Sequence, residues 1–145
     1  MAMKKRLLSI LCVFALTVFL FTPALAVEKQ EIVDLGDGFY AVITLNQEPA
    51  TRAGDVAKGS KTGSVYQGGT KIGEATFVAE FDISGATARV TSAKISGNGM
   101  NGWDYSRSTT GRSGNTATGT AYFTDGNIIR SLTLTLTCSP SGVIS

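Results

Sequence analysis

The chain has 145 residues, no histidine, two cysteines and 13 basic against 11 acidic residues. Without histidine, Ser-His-Asp and Cys-His catalysis and the usual His-bearing zinc sites are excluded. A charge this balanced gives no electrostatic footprint for nucleic acid.

Lys4, Lys5 and Arg6 precede an apolar run from Leu7 to Phe21, and Ala24-Leu25-Ala26 offers a small-x-small cleavage site. That layout predicts a secretory signal peptide over residues 1–26, too short for a comfortable membrane span. An uncleaved anchor is the alternative, and the tidy Ala-x-Ala speaks against it. Lipidation at Cys12 fails because Leu11 stands where a small residue is needed. Cleavage leaves residues 27–145, with ten basic residues against eleven acidic, no membrane span, and Cys138 as the one cysteine. No internal disulfide is then possible, so burial and sheet hydrogen bonds must supply the stability. The expected location is outside the cell, secreted or loosely held at the envelope.

Residues 27–47 read as an N-terminal β-hairpin. Ile32, Val33 and Leu35 lead in, Asp37-Gly38 turns, and Phe39 to Leu45 lead out. Asp-Gly is a strong two-residue turn because both positions need positive φ. Residues 48–64 are rich in Gly, Ala, Ser and charge without an apolar period, and predict a linker or mobile loop. Residues 65–145 alternate strands and turns. Gly68-Gly69 turns the chain into a long strand with Ala75, Phe77, Ala79, Phe81 and Ile83 on one face. Glu74, Thr76, Glu80 and Asp82 take the other, with Val78 the exception. Ser84-Gly85 turns into "ATARVTSAKIS", and a loop over residues 97–102 leads to "WDYSRSTT". Ala117, Gly119, Ala121 and Phe123 then alternate with threonines, Asp125-Gly126 turns, and Leu132, Leu134 and Leu136 point inward in the last strand. No stretch sustains a helical period. The fold class predicted is all-β: a small antiparallel β-sandwich, immunoglobulin-like in architecture.

Little chemistry is left. There is no phosphate-binding glycine loop. Glu80 and Asp82 share a wet face, which suits solvated carboxylates better than a glycosidase pair. "DLGDG" is explained by turn chemistry and lacks the oxygen run of a calcium loop. No catalytic, metal-ligating or cofactor-binding residue is assigned. Trp103 and Tyr105 lie at i and i+2 and share a face. They either anchor the core or, with Met100 in the adjacent loop, form a ligand platform. The threonine columns at 116, 118, 120 and at 133, 135, 137 read as cross-strand ladders, or as a hydroxyl surface for polysaccharide or ice. Cys138 is in phase with the inward leucines and reads as a buried thiol.

"DLGDGFYAVITL", "SKTGSVYQ", "FDISGATARVTSAKIS", "RSGNTATGTA" and "LTLTLTCSPSGVIS" together resemble a family of small secreted proteins from Gram-positive gut bacteria of the Firmicutes type, a domain of unknown function. The resemblance covers nearly all of the chain after the leader. It implies export and a β fold, and no activity or catalytic residue. Members often carry a second Cys in the strand that reads "TARVTSA" here, so the bridge that this implies in relatives has no partner in this chain. The expected function is a non-catalytic extracellular binding module for a glycan, a cell-wall component or a host protein. The alternative is a surface protein that self-associates through its edge strands.

Overall fold

The computed structural model describes residues 29–47 and 55–145. The segment read as a signal peptide lies outside the described residues. Eight strands follow in chain order: β1 (Lys29–Gly36), β2 (Phe39–Gln47), β3 (Val56–Gln67), β4 (Thr70–Asp82), β5 (Arg89–Gly99), β6 (Asp104–Ser113), β7 (Thr116–Thr124) and β8 (Ile129–Thr137). All pairs are antiparallel. β1 to β5 form one sheet and β6 to β8 a second, each in chain order. Among the described residues the chain therefore passes between layers once, at Met100–Trp103. Greek-key sandwiches of the immunoglobulin type cross repeatedly. The all-β, two-sheet expectation holds.

The turns are those the residues demand. Asp37 and Gly38 have φ of 54° and 79°, the pair of positive values that a tight hairpin requires. Gly68 and Gly69 likewise both have positive φ. The Asp125-Gly126 connection is longer than a two-residue turn. Thr124 pairs with Ile129, and Asp125 Oδ1 accepts from the amides of Asn127 and Ile128. Those two amides hold the Asp125 carboxyl below its ordinary range.

The inward faces build one core. Phe77, Phe81 and Phe123 are fully buried, as are Leu132, Leu134 and Leu136. Each such side chain contributes about 1.5–3 kcal/mol through removal from water. The sheets close because small residues meet large ones. A Cβ at Gly119 would stand 2.5 Å from Phe77 Cδ2, so only glycine admits the ring there. Cys138 is fully buried, and burial pushes its thiol up from the ordinary value.

The predicted loop over residues 48–64 is corrected for its second part. Val56 to Ser64 belong to β3, the middle strand of the five-stranded sheet, and residues 48–54 lie outside the described residues. Ala57 is fully buried and Gly59 lies against Ile144. The hairpin of β1 and β2 continues the same sheet as β3 to β5 and shares its core through Phe39, Ala41 and Ile43.

The last residues return along β8. Thr137 and Ser145 exchange both backbone hydrogen bonds at 2.9 Å, and Ile144 is buried. Lys61, the one charged side chain on the inward face of β3, donates from Nζ to Thr135 O at 2.6 Å. Burial lowers its pKa and Lys29 lowers it further, while Glu31 opposes both. The loop end of β1 and β2 is tied across by Arg130, which pairs with Asp37 at 2.8 Å and lies 4.4 Å from the Phe39 ring centre.

Candidate functional site

Alternation along the central strands places Thr76, Val78 and Glu80 of β4 on the outer face of the large sheet, beside Lys58 of β3 and Ser92, Lys94 and Ser96 of β5. These residues floor a groove of about 740 Å³. Ser108, Thr109 and Thr110 of β6 form its wall, because the second sheet reaches past the edge of β5. A volume of this size falls in the range of ligand sites, although the lining here is more polar than most. Two smaller hollows continue it. One, of about 250 Å³, shares Thr76 and Ser96 and ends at Met100; the other, of about 240 Å³, shares Lys58 and Val78 and ends at Asn46 and Gln47. From Glu74 to Glu80 the trough runs about 20 Å along the strands.

The charges of the floor are available to a ligand. Among the described residues the ion pairs are Lys71 with Glu74 and Arg130 with Asp37, which leaves Lys58, Glu80 and Lys94 outside any pair. At the Met100 end, hydrogen bonds from Lys71 and then Ser64 hold the Glu74 carboxyl below its ordinary value. Asp82 is held low by the hydroxyl and the amide of Ser84. Both shifts run opposite to the raised pKa of a general acid. No group of three His, Cys, Asp or Glu side chains that could hold a metal occurs among the described residues. No helix of the described residues is long and apolar enough to cross a membrane.

The proposed platform of Met100, Trp103 and Tyr105 is not assembled on a surface. Trp103 and Tyr105 do share a face, and it is the inward one. Trp103 is 6% exposed and meets Phe39 edge-on, with centroids 5.5 Å apart. The end of the sandwich under the β1–β2 hairpin needs a large ring, and Trp103 supplies it. Tyr105 is half-buried against Phe123 at 5.9 Å, and Gly97 leaves the space for its ring. Met100 alone reaches the trough. The outer aromatics are others: Tyr122 lies on β7 with Arg107 over its ring, and Tyr40 and Tyr66 are opposite each other on β2 and β3, stacked at 5.1 Å and nearly parallel. Their signal was phase, since Tyr40 is out of step with Phe39, Ala41 and Ile43. Val78, the break in the wet face, marks the trough floor.

The threonine columns are cross-strand neighbours: Thr116 with Thr137, Thr118 with Thr135 and Thr120 with Thr133. The first and last of these pairs lie with their hydroxyls 3.3 Å and 3.0 Å apart.

No family model, no curated protein and no solved structure matches the chain.

Proposed function

We propose that the chain is an exported, non-catalytic binding module that holds an extended polar ligand in the trough over β4 and β5. The observation that carries this reading is the groove of about 740 Å³ between the outer face of the large sheet and β6, with hydroxyls and the unpaired Lys58, Glu80 and Lys94 on its surface. Hydroxyls and single charges on a rigid sheet suit recognition by hydrogen bonding. The leader over residues 1–26, removed at export, supports an extracellular or envelope location. The resemblance to small secreted proteins of Gram-positive gut bacteria supports the same location and adds no activity. The immunoglobulin likeness is one of layering, with one sheet face left open to a partner.

Self-association through an edge strand is the second reading. It draws on β1, whose Ile32 is 73% exposed on the outer face. Lys29, Glu31, Asp34 and the bulge near Gly36 on that strand are features that discourage pairing. The test is light scattering of the exported form, followed by amide-shift titration with panels of oligosaccharides and peptides. A monomer whose shifts gather on Lys58, Thr76, Lys94 and Ser108 is the expected result. Stable oligomers at micromolar concentration, or binding confined to another face, would overturn the module reading.

A further inference from the structure

Four strands border the two sheets: β1, β5, β6 and β8. Backbone alternation shows which edges still offer hydrogen bonds. Met100 N–H donates to Ile72 O, so in β5 every second residue back from Met100 bonds to β4, and Ala93 and Ile95 direct their N–H and C=O to the open edge. Gly114-Asn115 is a two-residue loop with Gly114 at φ 57°, flanked by the pair Ser113 and Thr116. A flanking pair of this kind is hydrogen-bonded, so Ser108 and Thr110 direct theirs to the open edge of β6. Carried across β7, the same rule points Thr135 and Thr137 to the outer edge of β8. There Lys61 takes the Thr135 carbonyl and Ser145 occupies both groups of Thr137. The edge of β8 is thus guarded at Thr135 and Thr137, while β5 and β6 keep free edge groups between their ends.

These two open edges face one another. They are joined by the corner at Met100–Trp103 and, at the far end, by Val90 N–H to Gly114 O at 2.9 Å and Arg112 Nη1 to Thr91 O at 3.0 Å. Between these ties the strands are unpaired, and the 740 Å³ groove opens against Ile95 and Ser108 to Thr110. A slot bounded by two free strand edges matches an extended backbone, which offers donors and acceptors on both sides. Its outer floor carries Lys58 and Lys94 against Glu80, and its inner side carries Ile95.

We propose that the slot between β5 and β6 takes an extended polypeptide segment of a partner protein as an added strand on β6, its outward side chains acidic and its inward ones apolar. The inference rests on the binding-module reading and names the partner class for it. Main-chain bonds to Ser108 and Thr110 hold the segment, and the alternate side chains give selectivity: carboxylates meet Lys58 and Lys94, and apolar groups cover Ile95.

The probe is a capped heptapeptide alternating Glu and Val, titrated into the exported form and followed by amide shifts and hydrogen exchange. Saturable shifts and slowed exchange at Ala93, Ile95, Ser108 and Thr110 are expected. N-methylation of alternate peptide residues lowers affinity by about tenfold or more, as does exchange of Glu for Lys. Thr110→Pro removes an edge-directed N–H without touching the ladder to β7, and lowers affinity similarly. Ser108→Pro serves if that variant fails to fold, and the N-methyl comparison uses the unaltered protein. A methylated peptide that binds as well as its parent overturns strand addition. A chitin hexasaccharide that shifts the trough where the peptide does not overturns the peptide as occupant and keeps the module. Silence from both overturns both.

Discussion

Gly119 and Phe77 show how single residues set the distance between the layers. With 2.5 Å between Phe77 Cδ2 and the position of a Cβ, Gly119→Ala forces the buried ring aside. Such overpacking costs about 1–3 kcal/mol. Urea denaturation should report that loss with an unchanged m-value. Cys138 belongs to the same scale. Its thiol is fully buried and its ionisation suppressed, so residues 27–145, when folded, should consume no aromatic disulfide reagent until denaturant is added. The raised value also fixes a sign. The folded state keeps the proton that the unfolded chain loses, so this contribution is complete below the ordinary thiol value and disappears as pH rises through the folded one.

Among the strands, β3 shows why one element escaped the sequence. "VAKGSKTGS" has no apolar period because its inward positions are Ala57, Gly59, Lys61 and Gly63. They are small where β8 and Ile144 press close, and charged at Lys61, which reaches the edge of β8 at Thr135. Burial by neighbours, which periodicity does not record, made it a strand. β4, β7 and β8 were legible because their faces follow the two-residue rhythm, which Val78 of β4 breaks. The trough was legible only in Val78 and Met100, since it forms where β6 reaches past β5, a relation between layers. Lys61 carries the prediction here. Lys61→Met frees the Thr135 carbonyl and removes an inward charge from beside an edge. Stability at neutral pH should stay within about 1 kcal/mol. Light scattering should find mass rising with concentration for the variant and a monomer for the parent. With the Lys61 pKa lowered, the folded state gains stability as pH rises through the folded value toward the ordinary lysine value, and the variant should lose that gain.

For the molecule as a whole, two meanders share one core, and a single short corner at Met100–Trp103 is all that links them covalently among the described residues. Asn101 and Gly102 are exposed there, with φ of 55° and 84°. Severing the backbone between them leaves every ladder whole: five strands on one fragment, three on the other. The pieces, made separately and mixed, should recombine into a folded heterodimer whose tryptophan emission is blue-shifted relative to the three-strand fragment alone, which carries Trp103. The corner is thus a ready seam for a split reporter.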